Sequence, residues 1–319
     1  MKATNQLSCL FLTTALFALT TACADMDYGL QDSSVVNKVI GGTVVQNAPD
    51  HVGVILIERD GEFRQSCTST LIDDDTILTA GHCFGMFQSE RDNMRSLVDD
   101  GQVFVCLGEK NWHPKNKMLC PSGRMAQIID YELHPKFAEK SFETGDDVDL
   151  FDHDIAVAHL SVSFPDVSKP QLATRKAHSE GRTTSFGYGL KKTAVFQNGA
   201  MIRPGKSDNK LRQLNRKTIQ LDRCNRLIDK TSVTIAGFVI ENRPASKNNI
   251  CINVDKNHDL CHGDSGGPTF IDGRLAGVTS RGVLNSDESG KFKGCDGAGP
   301  TILMNVRRFR SWIRSAMSN

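Results

Sequence analysis

The sequence lacks any excess of charge. Its 38 lysines and arginines nearly balance 37 aspartates and glutamates, which gives a formal charge of +1 over 319 residues. Such a balance leaves no broad electrostatic field for a nucleic acid or a membrane surface, so no nucleic-acid partner is predicted. Repeats and low-complexity tracts are also missing. The function must therefore follow from local motifs.

The apolar run near the N-terminus, Leu7 to Leu19, is too short to cross a bilayer. It follows Lys2 and precedes the small residues Ala22-Cys23-Ala24, which is the pattern of a secretory signal. We therefore predict a signal peptide over residues 1–24 and a secreted or extracytoplasmic protein. Ordinary and lipoprotein-type cleavage both remain open, because the segment ending in Cys23 loosely resembles a bacterial lipoprotein box. Lipoprotein-type cleavage would tether the protein to a membrane through a lipid on Cys23.

Closely spaced cysteine pairs are missing as well. None of the ten cysteines lies at C-x-x-C spacing, which argues against a zinc site. Two of them fall in the leader, and an even number in the exported remainder predicts a disulfide framework. The spacing leaves the pairing open among Cys67, Cys83, Cys106, Cys120, Cys224, Cys251, Cys261 and Cys295.

The most informative segment that is present runs from Cys261 to Pro268 and reads CHGDSGGP. A serine among glycines on a tight loop has an exposed hydroxyl and nearby backbone N–H groups, as an acyl-transfer nucleophile requires. The segment also fits the G-x-S-x-G pattern of α/β-hydrolases, in which a histidine follows the serine in the chain. No histidine follows Ser265, since the last one is His262. The alternative order of histidine, aspartate and serine can be built.

Two upstream segments supply the missing histidine and acid. His82 lies in Thr79–Cys83 behind an apolar run, and Asp154 begins a second apolar segment behind an acidic loop. Together with the serine loop, these segments resemble the trypsin/chymotrypsin family of serine proteases over about residues 39 to 313. Gly81 departs from the pattern, because the family usually has alanine there.

The resemblance implies a serine endopeptidase that acts on protein or peptide substrates. His82 would take the proton from Ser265, and Asp154 would orient the imidazole. The N–H groups of Gly263 and Ser265 would form the oxyanion hole. Asp152 remains a rival for the role of the triad acid.

The resemblance also implies an all-β fold of two six-stranded antiparallel barrels of the chymotrypsin type with a C-terminal helix. Short β-branched runs such as Val52–Ile57 and Val103–Val105, separated by glycine, proline and acidic turns, agree with it. Apolar residues at helical spacing predict the helix at Val306–Met317. The first barrel would contribute the histidine and the acid, and the second the serine.

For the cysteines, the resemblance selects three bridges: Cys67 to Cys83, Cys224 to Cys251, and Cys261 to Cys295. Cys106 and Cys120 are then left for each other. No metal or other cofactor is predicted, because the acidic loop Glu143–Asp152 lacks the alternating ligand spacing of an EF-hand.

An activation site is implied at Lys38-Val39-Ile40-Gly41-Gly42, which resembles the family's cleavage junction. Residues 25–38 would be a propeptide and residues 39–319 the protease domain. An activating protease that cuts after Lys38 would free the amine of Val39. In the family, this ammonium pairs with the aspartate before the nucleophile, here Asp264.

The specificity pocket is implied by four residues. Asp259, six residues before the serine, matches the position where a carboxylate selects arginine or lysine. Ser280 resembles the serine that hydrogen-bonds the triad carboxylate, and Gly282 leaves room for a long side chain. Thr301 stands where trypsin has glycine and would narrow the pocket, so cleavage after small apolar residues stays open.

Residues around the pocket and the cleft give further predictions. Arg281 replaces the tryptophan usual in the family, which favours acidic residues upstream of the cut. His262 is expected to line the cleft, and the insert Lys191–Lys210 to be a flexible surface loop. A catalytically silent binding protein and an esterase remain alternatives, and a monomer is the default.

Overall fold

The computed structural model describes residues 39–113, 120–138, 151–197, 200–228, 232–235, 238–283, 291–293, 295, 297 and 299–318. The predicted signal peptide, the propeptide, Cys23 and Lys38 lie outside these residues. Within the described part of the chain, no helix combines the length and hydrophobicity needed to cross a membrane.

The N-terminal half closes into a six-stranded antiparallel barrel, preceded by the short strand β1 (Thr43–Val44). The barrel strands are β2 (Val52–Arg59), β3 (Glu62–Asp73), β4 (Thr76–Thr79), β5 (Val103–Leu107), β6 (Met125–Leu133) and β7 (Ala156–Leu160). Around the barrel they follow the order β2-β3-β4-β7-β6-β5.

The C-terminal half forms the second barrel. Its strands are β8 (Arg182–Gly187), β11 (Arg212–Ile219), β14 (Asn249–Ile252), β15 (Pro268–Ile271), β16 (Arg274–Arg281) and β18 (Thr301–Asn305). They follow the order β11-β14-β18-β16-β15-β8, and β8 pairs back with β11 to close the ring. The predicted fold class is confirmed.

Strand β2 explains how the two barrels meet. Alternate side chains of a strand point to opposite faces, and Ile55 lies in the core of the first barrel. Val54 and Leu56 point the other way and pack with Phe186 and Tyr188 of the second barrel. A continuous apolar run is therefore required here, because both faces of the strand are buried.

The other described elements lie outside the two barrels. They are the strands β9 (Val195–Gln197), β10 (Ala200–Arg203), β12 (Ser232–Ile235), β13 (Phe238–Glu241) and β17 (Lys291–Lys293), a 3₁₀ helix (Gly81–Phe84), and the helices α1 (Gln88–Asp99), α2 (Pro135–Ala138), α3 (Leu221–Leu227) and α4 (Val306–Ala316). The C-terminal helix α4 buries Val306, Phe309 and Ile313 against the first barrel.

The prediction of a flexible loop over Lys191–Lys210 was wrong. Strands β9 and β10 come from this insert, and β17 pairs with β9 to complete a three-stranded sheet. Val195 and Phe196 are buried at 2% and 7% exposure. The pairing stabilises the insert because these two apolar side chains leave water.

Four disulfides are present among the described residues, and they are the predicted pairs. Cys67–Cys83 and Cys106–Cys120 lie in the first barrel, while Cys224–Cys251 and Cys261–Cys295 lie in the second. Each bridge closes a loop of 14 to 34 residues. In the chain-entropy model, a bridge of this kind stabilises the folded state by about 3 to 4 kcal/mol.

Candidate active site

The antiparallel pairing of β4 with β7 brings His82 and Asp154 together. Thr79, the last residue of β4, pairs with Ala156, the first residue of β7. The residues after β4 and those before β7 therefore lie at the same edge of the barrel. Nδ1 of His82 is 2.8 Å from Oδ2 of Asp154, and the backbone N–H of His82 donates to Oδ1 at 2.8 Å.

Asp154 is fully buried, and the second barrel supplies its third hydrogen bond. The hydroxyl of Ser280, on β16, donates to Oδ2 of Asp154 at 2.6 Å. A buried carboxylate is tolerated when such donors replace its water. The bond also ties the histidine–carboxylate pair to the barrel that carries Ser265.

The charge of Asp154 controls the protonation of His82. Burial lowers the pKa of His82, but the negative charge of Asp154 and its hydrogen bond to Nδ1 outweigh burial, so the pKa is raised above the usual 6.5. In the neutral ring, Nδ1 carries the proton that points at the carboxylate. Nε2 is then left as a proton acceptor.

Glycine at position 81 has a steric reason. A Cβ on Gly81 would lie 2.7 Å from the ring of Phe137, on α2. Alanine there would require the aromatic ring to move, so the departure from the family pattern is matched by local packing. The 3₁₀ helix that carries His82 is also bonded through Cys83 to Cys67.

The loop that carries Ser265 uses most of its own backbone donors. The N–H groups of Cys261, Asp264, Gly266 and Gly267 donate to Asp264 Oδ2 and to the carbonyls of Cys261, Thr279 and Asp264, at 2.7 to 2.9 Å. Among the described residues, the N–H groups of His262, Gly263 and Ser265 have no acceptor. The last two are the donors predicted for the oxyanion hole, and free N–H groups of this kind suit a developing anion.

The serine loop lies directly on the first barrel. The carbonyl of Ser265 accepts from the N–H of Thr68 at 2.8 Å. A Cβ on Gly266 would lie 1.9 Å from Oγ1 of Thr79 and 3.0 Å from the nitrogen of Ala80. Glycine therefore permits the approach that brings Ser265 beside the His82 segment. The Oγ of Ser265 makes no hydrogen bond with another described residue.

The neighbouring polar residues have other partners. Oδ2 of Asp152 lies 2.8 Å from Nδ1 of His153, and the amide of Asn248 is within 3.5 Å of Asp152. The exposed His262 has Nδ1 within 3.8 Å of both sulfurs of the Cys261–Cys295 bridge. The Asp154 carboxylate is therefore the one that contacts His82 in the structure.

At the predicted pocket, Asp259 is buried and already hydrogen-bonded. Thr301 Oγ1 donates to Oδ1 of Asp259 at 2.8 Å, and the N–H of Gly297 donates to Oδ2 at 3.1 Å. Gly282 is open, since a Cβ there would meet nothing within 4 Å. The structure thus brings Asp259 and Thr301 into direct contact, which the sequence could indicate only as an alignment.

Asp264, which directly precedes Ser265 in the serine loop, is fully buried. Its two oxygens accept from the N–H groups of Gly189 and Cys261, each at 2.7 Å. Burial nevertheless raises its pKa to about 7, despite these bonds and the charge of Arg212. Val39 is also fully buried, so the first residue of the predicted mature form already lies inside the second half of the protein.

Three groups of residues bring several ligand-type atoms together in the described part of the chain: Cys67 with His82 and Cys83, Cys261 with His262 and Cys295, and Cys106 with Glu109 and Cys120. Each contains a disulfide pair. Sulfurs joined in a disulfide are not thiolates and do not bind metal as thiolates do, so these groups do not indicate a metal site.

Two six-stranded antiparallel barrels, with a histidine–carboxylate pair in one and an adjacent serine loop in the other, define the class of chymotrypsin-like serine proteases. The family model described as Trypsin matches residues 39–313. The chain belongs to the trypsin family and is a serine endopeptidase.

Known proteins of this family are similar at low identity. Trypsin eta of Drosophila erecta is 23% identical over 288 residues, covering 87% of this chain and 89% of that protein. The trypsin of Phaedon cochleariae is 24% identical over 254 residues and covers 77% of each chain. Among solved structures, neuropsin, a serine protease expressed in the limbic system of mouse brain, matches with a TM-score of 0.58 at 20% identity, covering 85% of this chain and 99% of that one.

Two residues at the serine loop were missed in the sequence. The side chains of Gln65 and Thr68, on β3, both donate to the carbonyl of Gly263, at 3.1 and 2.7 Å. The available signal was that Thr68 follows Cys67, whose bridge to Cys83 holds the histidine segment.

Proposed function

We propose that the protein hydrolyses peptide bonds with Ser265 as nucleophile, His82 as general base and Asp154 as the residue that orients the imidazole. The observation that carries this proposal is the 2.8 Å contact between His82 Nδ1 and Asp154, which leaves Nε2 as the acceptor. The free N–H groups of the serine loop support the same mechanism.

In the proposed reaction, Oγ of Ser265 attacks the peptide carbonyl carbon while its proton passes to Nε2 of His82. The resulting oxyanion accepts hydrogen bonds from the N–H groups of Gly263 and Ser265. The C–N bond then breaks, and the leaving amine takes the proton from His82. Water attacks the acyl ester in the same way, with His82 again accepting and returning the proton, and the carboxylic acid is released.

We further propose that the protein is secreted as a zymogen and activated by cleavage after Lys38. Disulfides persist outside the cytoplasm, and four are present. Burial raises the pKa of Asp264 to about 7, because its two N–H donors and the charge of Arg212 do not offset the cost of burying the carboxylate. The ammonium of a freed Val39 would supply a further positive charge. Lipidation of Cys23 would hold the precursor at a membrane, and this cleavage would release the protease domain.

For specificity, we favour cleavage after arginine or lysine, because a buried carboxylate at the pocket base gains most from a basic side chain. A second candidate is cleavage after small apolar residues. It is favoured by the hydrogen bond from Thr301 to Asp259, since that donor occupies one carboxylate oxygen and its side chain takes up space in the pocket.

The proposal is tested with paired peptide amides that end in arginine or valine. The enzyme begins at a verified Val39, and Ser265→Ala serves as the inactive control. Cleavage after arginine supports the basic pocket, and preference for valine supports the second candidate. Inactivity on both substrates contradicts the proposed function and favours a silent binding protein.

The pocket contact gives a specificity prediction. Thr301→Ala removes the donor to Asp259 and a methyl group, so we expect the ratio of kcat/KM for arginine over valine to rise about tenfold, the value of one hydrogen bond plus the added space. Thr301→Ser keeps the hydroxyl and should stay near wild type. An unchanged ratio in Thr301→Ala would contradict the proposed role of Thr301.

The raised pKa of His82 gives a pH prediction. His82 must be neutral to accept the serine proton, so kcat/KM should rise with pH and reach half its maximum above pH 6.5, the usual histidine pKa. The measurement is kcat/KM from pH 5 to 9. Inhibitor binding to Ser265→Ala over the same range controls for pH effects on binding, and a midpoint at or below 6.5 would count against the assignment.

A further inference from the structure

One residue of the first barrel holds the serine loop of the second barrel at two points. The backbone N–H of Thr68 donates to the carbonyl of Ser265 at 2.8 Å. Its side-chain hydroxyl donates to the carbonyl of Gly263 at 2.7 Å. Gly263 and Ser265 are two of the three loop residues whose N–H groups have no acceptor among the described residues, and they are the donors proposed for the oxyanion hole.

The surroundings make Thr68 a rigid support. It is fully buried, and its carbonyl accepts from Oγ1 of Thr79 at 2.9 Å. Its hydroxyl also accepts from the N–H of Tyr188 at 3.3 Å. The preceding residue, Cys67, is bonded to Cys83 beside His82. The histidine segment and the carbonyls of Gly263 and Ser265 are therefore all attached to the same short stretch of β3, the first by a disulfide and the others by hydrogen bonds.

We propose that Thr68 is a positioning residue for the oxyanion hole, an inference that rests on the proposed function. Gly263 has a φ of +91°, in the region that glycine enters at no steric cost, so its backbone has many alternatives. The Thr68 hydroxyl restricts these alternatives by fixing the Gly263 carbonyl, and the Thr68 N–H fixes that of Ser265. The two N–H donors are thereby kept aimed at one point before substrate arrives.

The experiment compares Thr68→Val, which keeps the branched shape but loses the hydroxyl, with Thr68→Ser, which keeps it. Thr70→Val is the matched control, because Thr70 lies two residues along the same strand with a buried hydroxyl that has no partner among the described residues. In protein that begins at Val39, we expect Thr68→Val to lower kcat about tenfold with little change in KM. Thr68→Ser and Thr70→Val should stay within about twofold of wild type.

A peptide boronic acid that forms a tetrahedral adduct on Ser265 gives a second readout. Its affinity should fall about tenfold in Thr68→Val, whereas binding of the cleaved product peptide should not change. If Thr68→Val does not fold, Gln65→Met removes the other donor to the Gly263 carbonyl and should show the same pattern at about threefold. Equal kcat in Thr68→Val and Thr70→Val would overturn the proposal.

Amide hydrogen exchange separates this inference from the proposed function. In the Ser265→Ala background, where no catalysis is needed, Thr68→Val should speed exchange of the peptide that spans residues 261–267 by about tenfold, and Thr70→Val should not. If the wild-type protein has no protease activity but Thr68→Val still speeds exchange, the protease mechanism is rejected and the support of the loop by Thr68 stands. Unchanged exchange would reject the support itself.

Discussion

Replacing Ser265 with alanine is expected to lower kcat by about 10⁵- to 10⁶-fold, because the nucleophile and its base act as a unit. His82→Ala should cost about as much, and the double variant should be no worse than either single variant. The measurement is hydrolysis of the preferred peptide amide by protein that begins at Val39. Labelling with a fluorophosphonate gives an independent readout, since only Ser265 should be modified.

The control for this prediction is Ser96→Ala, which changes an exposed serine on α1 far from the loop in sequence. It should leave kcat and labelling at the wild-type level. Ser265→Ala should still bind substrate, because removing Oγ leaves the pocket intact. If the fold-loss of kcat in the double variant equals the product of the two single losses, the assigned roles are contradicted. Labelling that persists without Ser265 would contradict them as well.

Protein held uncut by Lys38→Gln is expected to have kcat/KM about 10²- to 10³-fold below that of protein that begins at Val39. Burial raises the pKa of Asp264 to about 7, so the uncut chain at pH 8 must hold an ionised buried carboxylate without an ammonium. Loop arrangements that lose a free N–H donor then become populated. Loss of one oxyanion donor costs about this factor.

The stability of the two forms should differ with pH in a defined direction. Between about pH 4 and pH 7, the folded uncut chain binds more protons at Asp264 than the unfolded chain does, because its pKa rises from 3.8 to about 7. The free energy of unfolding should therefore fall as pH rises through this window. An ammonium beside the carboxylate would lower the pKa of Asp264 and remove the fall, so the form that begins at Val39 should be the more stable one at pH 8.

Urea unfolding at pH 4.5 and pH 8 measures this difference. The quantity of interest is the difference in the free energy of unfolding between the uncut protein and the form that begins at Val39. Asp264→Asn should abolish the part of this difference that depends on pH. Asp255→Asn, which changes an exposed carboxylate paired with Arg216, should preserve it. A gap of equal size at both pH values would show that the Val39 amine acts through another group.

The features that the sequence predicted well are those carried by short contiguous motifs. The segments around His82 and Ser265 each contain a functional residue, its glycines and a cysteine, so one stretch of chain indicates both the role and the local shape. The two barrels and three of the disulfides came through the resemblance, and the pair Cys106–Cys120 followed by elimination. Ser265 was thereby expected on a different barrel from His82, which is the arrangement observed.

The features that were missed depend on contacts between residues distant in the chain. Thr68 and Gly263 are 195 residues apart, and the local signal, the neighbouring Cys67, indicates the histidine segment and not Gly263. The sheet formed by β9, β10 and β17 likewise joins the insert Lys191–Lys210 to a strand much later in the chain, so the insert taken alone was interpreted as a loop. Thr301 could be aligned with the pocket, but the hydrogen bond from its hydroxyl to Asp259 is seen only in the structure.

The distribution of the disulfides has a consequence for how this enzyme would fail. All eight cysteines of the predicted protease domain pair within one barrel or the other, so the seam between the barrels is held without a crosslink. His82 and Asp154 lie on one side of that seam, and Ser265 and Ser280 lie on the other. A slight separation of the two barrels would abolish catalysis, although each barrel would keep its own disulfide-linked core. Loss of activity should therefore precede loss of secondary structure as denaturant is added, and lowering the denaturant should restore it without any reshuffling of bridges.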